Sequence, residues 1–318
     1  MTTPSLASPL PAAAGRDRPS VLRGLSCAIL AMIVLPAQDA IAKYVSPTVS
    51  VGEINWARFA LQILFTLPFL LWFQGRGGLL ANRFWPNAVR GSLIATSSFL
   101  FFLALKFMPM ADAIAIFFIE PFILVALSAF IDEEEVGLQG WVVVVVGFIG
   151  VLIVVRPSYD IFGPISLVPA LGGFLFAIYV LMSRRLSLFD TPLTMQFTAG
   201  LAAMVLSTAA LAAGWLMQIP QLAPTPIGAG EFSLLLLMGV FGTAGHLLFV
   251  QATRLAPSSL IAPVQYVEIA SAATFGYLMF GDFPDFWKWV GIAVIVASGA
   301  SVLVRQGARL PPPEPLNA

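Results

Sequence analysis

Long apolar runs separated by short polar breaks fill the chain. Ten runs stand out, at 24–44, 51–73, 89–107, 110–131, 138–155, 162–183, 192–217, 231–252, 257–280 and 287–304. A helix that crosses a bilayer needs ~20 mostly apolar residues. Within each run the apolar residues are continuous and do not alternate with polar ones, which predicts helices rather than barrel strands. The pattern therefore predicts an all-α integral membrane protein with ten transmembrane helices joined by short loops, and no soluble domain. The ends, residues 1–21 and 306–318, are rich in Pro, Ala and Ser and read as disordered tails. The basic residues Arg16, Arg18 and Arg23 before the first run also resemble the start of a signal peptide. The apolar run is long for that role, and further spans follow it.

Composition sharpens this picture. Hydrophobic residues make up 59% of the 318 and charged residues only 10%, with a mean hydropathy of +0.92. Soluble domains are about 25% charged, so a soluble enzyme, a disordered scaffold and a nucleic-acid-binding protein are all excluded. Lys and Arg number 16, as do Asp and Glu, so net charge names no partner. Cys27 and His246 are each the sole residue of their type, which rules out an intrachain disulfide and any metal site built from several cysteines or histidines. No cofactor is implied.

Charge also predicts orientation. With the N-terminus in the cytoplasm, eleven Lys and Arg residues lie inside and only Lys43, Lys106, Arg156 and Lys288 lie outside, with Arg58 inside a span. Positive residues favour the cytoplasmic side, so both termini are expected there.

Shifting the chain against itself by 148 residues superimposes scarce residues: Gly91 on Gly239, Pro109 on Pro257, Glu120 on Glu268 and Trp141 on Trp289. Two five-helix units, 22–156 and 157–305, follow. Five is odd, so the second unit enters the membrane upside down relative to the first. Inverted repeats are a frequent plan of secondary transporters, with the substrate near mid-depth between the halves.

An ionisable side chain deep in a span costs roughly 2.5–3.5 kcal/mol on insertion scales, so each one is a functional candidate. Glu120 and Glu268 lie near the middle of their spans and are placed symmetrically by the repeat. They bind a polar or cationic group, carry a coupling proton, or hydrogen-bond to neighbouring helices as packing elements. Asp39 and Lys43 share a face of the first span at i, i+4, with Gln38 beside them. Arg58, one turn into the second span, offers Asp39 an alternative ion-pair partner. That group reads either as a gate and anchor for an anionic substrate or as a structural pair with Lys43 reaching for water. Glu53 and Asn55 are expected at the interface. Asp112 opens the fourth span and suits a helix N-terminus.

His246, aligned with Ser98, is a ligand contact, a proton relay or an imidazole bonded across helices. Gln265 and Tyr266 precede Glu268, and Tyr266 aligns with Phe118. An aromatic ring beside a carboxylate can hold a flat or cationic ligand. Tyr179 and Gln196 add polar groups to other spans. Gly239, Gly242 and Gly245, with the pairs Gly147–Gly150 and Ala272–Gly276, read as surfaces for close helix packing, and could also mediate a homodimer. Pro36, Pro121, Pro169 and Pro263 interrupt spans, and Pro36 is the expected hinge.

The order of these features resembles the EamA family of the drug/metabolite transporter superfamily: a loop ending in Pro109 or Pro257, a glutamate in the next helix, an acidic residue after it (Glu134, Asp282), then Trp141 or Trp289. The resemblance covers about 22–305. Glu120-Pro121 matches the pattern, whereas Glu268-Ile269 lacks the proline. The stretch Gln38 to Lys43, with Trp56-Ala57-Arg58, is most similar to members that take up riboflavin or S-adenosylmethionine. The resemblance implies a ten-helix carrier in the lipid bilayer of a bacterial inner membrane, for a small-molecule substrate such as riboflavin, S-adenosylmethionine or an amino acid. No GxxxxGK[ST] phosphate loop occurs, so ATP hydrolysis is excluded. An intramembrane enzyme using His246 and a serine is the alternative, although no GxSxG or HExxH occurs, and a structural or sensory membrane protein is a third reading.

Overall fold

A computed structural model describes residues 18–131, 138–256 and 264–307. The acidic run Asp132 to Glu135, Pro257, Pro263 and most of both tails lie outside the described residues. Among those described there are helices and no strands. The helices are α1 (Arg18–Val45), α2 (Val51–Gln74), α3 (Phe84–Phe107), α4 (Met110–Phe117), α5 (Glu120–Ile131), α6 (Leu138–Phe162), α7 (Val168–Leu186), α8 (Pro192–Met217), α9 (Ala229–Leu255), α10 (Val267–Phe280) and α11 (Phe286–Gly307). Helix thus extends at both ends into residues assigned above to the tails.

Seven helical stretches are long and apolar enough to cross a membrane, and Val267–Phe280 and Phe286–Ser298 are shorter apolar helices. One of the seven, Trp141–Leu186, runs for 46 residues. That is more than twice the length of one crossing, and the short 3-10 turn Gly163–Leu167 divides it into α6 and α7. Large apolar side chains point outward all round the bundle; Trp72, Leu138, Trp85 and Phe130 are each at least 75% exposed. Such a surface is stable only against lipid. The protein is a multi-pass membrane protein.

The packing order matters for the site. α1 lies along α9 and α3 along α7; α2 packs on α8 and α9, and α8 on α3; α6 lies along α11, and α10 touches both α1 and α4. Every helix of the first half therefore rests on helices of the second. The main core runs from Ala40 and Val45 through Leu105, Met110 and Ile116 to Ile269 and Ile295.

The small-residue surfaces are consumed inside the chain. A Cβ at Gly245 or Gly239 would strike Leu35 or Leu61, one at Gly242 would overlap the Gln38 amide, and one at Gly150 would press on Ile295. These positions let α9 close on α1 and α2, and α6 on α11. They are not free to form a homodimer contact.

The predicted fourth span, 110–131, is not one helix. It breaks at Phe118 and Ile119 into α4 and α5. Pro121 has no N–H to give to the carbonyl of Phe117, four residues back, and is tolerated only in a first helical turn. The backbone tightens instead, with Ile119 N–H donating to Ile116 O at 3.2 Å. Gly173 of α7 packs on the freed carbonyl; a Cβ there would lie 2.5 Å from Phe117 O. In the second half α10 starts after a turn at Tyr266, where Ile269 N–H donates to Tyr266 O at 3.2 Å. By contrast Pro36, the expected hinge, sits inside a helix that continues to Val45.

Candidate functional site

The two breaks place Glu120 as the first residue of α5 and Glu268 as the second of α10. A carboxylate in a first turn faces unpaired N–H groups and the positive end of the helix dipole. Each break thus creates, within the bundle, a place where negative charge is tolerated. Glu268 lies within electrostatic range of Glu120 and of Asp39. The Phe118 and Tyr266 rings, which the 148-residue shift aligns, touch each other with centroids 5.7 Å apart. Tyr266 is also within electrostatic range of Glu120. The predicted group of Glu120, Glu268 and Tyr266 is therefore brought together. Gln265 lies half-buried beside the α10 turn.

Arg58 projects from α2 and is 9% exposed. Its guanidinium donates to the Ser98 hydroxyl of α3 and, at 2.8 Å, contacts Nε2 of His246 on α9. Arginine stays protonated and can only donate. His246 therefore accepts at Nε2 and carries its proton on Nδ1. Ser98 and His246 are aligned by the internal repeat, so one guanidinium joins equivalent positions of the two halves. Phe59 and Phe102 flank it at 5.2 and 5.7 Å. Gln38 Nε2 donates to Asp39 Oδ1 at 3.0 Å, and both residues are buried. Asp39 lies within electrostatic range of Arg58, but no carboxylate among the described residues lies within ion-pair distance of it. Arg58 Nε and Gln38 Oε1 have no hydrogen-bond partner.

Lys43 does not pair with Asp39. It reaches Asp282 Oδ2 at 2.7 Å and Met108 O at 3.0 Å, at the far end of α1. One helical turn carries its ammonium past the Asp39 level, to a loop carboxylate that costs less to ionise than a buried one. Asp112 is also more than a helix-start residue. It is 1% exposed, bonded to Lys288 Nζ at 2.6 Å and to Ser158 at 3.0 Å. Lys288, counted above on the outer side at the start of the tenth run, lies in the first turn of α11 and is buried.

Of the two residues expected at the interface, Glu53 lies in the first turn of α2 against a loop, and Asn55 is buried between helices. Glu53 takes the Thr225 backbone N–H at 2.9 Å and the Thr225 hydroxyl, tying α2 to the α8–α9 loop. Asn55 is buried, donating to Ala95 O at 3.1 Å and to Ser207 at 3.3 Å.

Tyr179 stands apart from the carboxylates. Its ring stacks on Phe176 at 5.4 Å and under Arg90 at 4.9 Å, while remaining within electrostatic range of Arg58. Gln196 is drawn in through its main chain, whose carbonyl accepts from Gln62 at 3.2 Å. Arg90, not singled out by the sequence, is 3% exposed and bonds Ser183 at 2.9 Å and Met195 O at 2.7 Å. Its position just inside the third apolar run was the available signal.

A polytopic bundle with broken helices, and with acidic and basic groups buried where its halves meet, has the makings of a membrane transporter. The chain belongs to the EamA-like transporter family, which it matches twice, at 22–156 and 164–304. It is 26% identical to an S-adenosylmethionine uptake transporter of Rickettsia bellii, over 86% of this chain and 90% of that one. It is 27% identical to a riboflavin transporter of Vibrio cholerae, over 88% and 93%. A solved crystal structure shares the fold, with a TM-score of 0.61 at 20% identity, covering 92% of this chain and 99% of the other. The protein is a secondary transporter of small metabolites.

Proposed function

We propose that the chain is a ten-helix carrier built from two inverted five-helix repeats, which moves S-adenosylmethionine or riboflavin across a bacterial inner membrane by alternating access. Both termini are cytoplasmic. The observation that carries this reading is the meeting of equivalent residues. Ser98 and His246 share Arg58, Phe118 touches Tyr266, and Glu120 and Glu268 lie within electrostatic range of each other. The packing pairs exchange likewise: α1 with α9 mirrors α7 with α3.

In this reading the substrate sits among Asp39, Arg58, His246, Glu120, Tyr266 and Glu268, with Gln38 and Gln265 behind them. Gln196 and Tyr179 line the approach. The halves rock about this site, and a solute biases the motion only by binding the two states unequally. A proton on Glu120 or Glu268 couples the cycle. Two contacts that join the halves, Lys43 to Asp282 and Lys288 to Asp112, lie on the outer side.

The test is uptake and efflux of labelled S-adenosylmethionine and riboflavin in proteoliposomes holding the full chain, with and without a pH gradient. Saturable movement of either solute supports the reading. Failure of both to move in either direction overturns the substrate assignment.

A further inference from the structure

Two lysines of this chain, the half-buried Lys43 and the buried Lys288, have carboxylates at 2.7 and 2.6 Å. Two buried arginines, Arg58 and Arg90, have none among the described residues; Arg90 bonds Ser183 and Met195 O, whereas Arg58 lies within electrostatic range of Asp39. Arg58 is nine-tenths buried, its terminal nitrogens meet only a hydroxyl and an imidazole, and its Nε–H points at no acceptor. An uncompensated buried charge is costly, whereas a paired and hydrogen-bonded one is tolerated. Asp39, the nearest candidate counter-charge, is turned to the Gln38 amide. Ser98 and His246 come from different helices and hold the guanidinium plane in place, so its free edge is pre-oriented. A planar fork with a free edge suits an oxyanion. On the other side of the site Glu268 is within electrostatic range of two further carboxylates, Asp39 and Glu120, of which Glu120 is also in range of Arg184, and the Tyr266 ring, two residues before Glu268, touches Phe118. That end suits a positive group.

We infer that Arg58 is the specificity-determining anchor for a substrate carboxylate, and that the substrate is a zwitterion whose positive group lies against Glu268, Glu120 and the Tyr266 ring. The inference rests on the carrier reading above and deepens it. It separates the two candidate solutes: S-adenosylmethionine carries a carboxylate and a fixed sulfonium charge, and riboflavin carries neither.

The experiment is competition against labelled S-adenosylmethionine uptake in proteoliposomes, using unlabelled S-adenosylmethionine, its decarboxylated form and riboflavin. With the unaltered protein the decarboxylated form competes about tenfold more weakly than the parent, the effect of one lost charge-assisted contact. Arg58→Gln brings the two within about twofold of each other, because the carboxylate no longer has its partner. Arg58→Lys, which keeps the charge but not the fork, gives an intermediate ratio. A purely structural arginine would lower uptake without moving that ratio. Should Arg58→Gln fail to reach the membrane, the ratio for the unaltered protein and for Ser98→Ala decides the matter. Equal competition by the parent and its decarboxylated form overturns the anchor, as does an unchanged ratio in Arg58→Gln or transport of riboflavin in preference. Those results leave the carrier reading standing. If no solute moves at all, the carrier reading falls and the anchor falls with it.

Discussion

The protein places charge among its helices in two ways, and in the proposed carrier reading the difference separates scaffold from site. At the Lys43 end, opposite charges from the two halves meet directly: Lys43 with Asp282, and Lys288 with Asp112 and Ser158. In the middle, Arg58 bonds neutral groups while Asp39, Glu120 and Glu268 gather near one another. The first arrangement is complete in itself and holds helices together. In the second no described carboxylate pairs directly with Arg58, although Asp39 lies within electrostatic range of it and Glu120 within range of Arg184; this fits the proposed carrier site, since a site satisfied by its own protein would gain little from substrate.

The contrast can be broken most forcefully at Lys288. Lys288→Met strands Asp112 among apolar neighbours and should lower stability by about 3–5 kcal/mol, read as a drop in the thermal unfolding midpoint of the detergent-solubilised protein. Neutralising Asp112 as well, as Asp112→Leu, should recover much of the loss. A harmless Lys288→Met would show that this pair is not scaffold.

At the site the signs reverse. Glu268→Gln and Glu120→Gln should each reduce transport by roughly tenfold or more, while thermal stability is kept or rises, because an amide is cheaper to bury than a carboxylate. Normal transport by both variants would return these residues to a packing role.

The helix break is a third point of attack. Gly173→Ala places a methyl group 2.5 Å from Phe117 O and 3.0 Å from the Ile119 side chain. The expected cost is about 1–3 kcal/mol, as for other overpacked cores, with transport reduced because Glu120 is displaced. Unaltered uptake and melting would mean that α7 does not brace the break.

Lys43→Met should have the smallest effect. Its side chain and that of Asp282 keep 14% and 29% exposure, so water screens the pair and the loss is about 1 kcal/mol. The charge-reversed double variant, Lys43→Asp with Asp282→Lys, should restore it, and a melting curve of the double variant no better than either single one would count against a direct pair.

The positions of most helices were legible from the apolar runs, and that of α8 to the residue, because a span must be apolar over its whole length and the loops are short. Limits drifted where helix continues beyond the apolar run, as at Arg156 to Phe162 of α6 and Phe84 to Ala88 of α3. Pro36 and Pro121 were both read as interrupting their spans, and only Pro121 divides its span into two helices, because a proline inside an apolar run can kink, end or leave a helix intact. Glu120, Glu268, Asp39, Arg58 and His246 were legible as candidates, since a charge in a membrane span is expensive. Their partners were not. Local spacing offered Lys43 to Asp39, and the fold gave it to Asp282, 239 residues away. Arg90 escaped notice and Asn55 was expected at the interface for the same reason, since their hydrogen bonds reach α7 and α8.

What the sequence by itself determined was solvent and period. Its composition demands a lipid surround, the length of each run sets the helices, and the 148-residue echo pairs one half with the other. Only the tertiary structure decided which polar groups are satisfied. Hydrogen bonds and ion pairs depend on ångström separations between helices far apart in the chain, and those separations are set by where small residues such as Gly242 and Gly173 let backbones close.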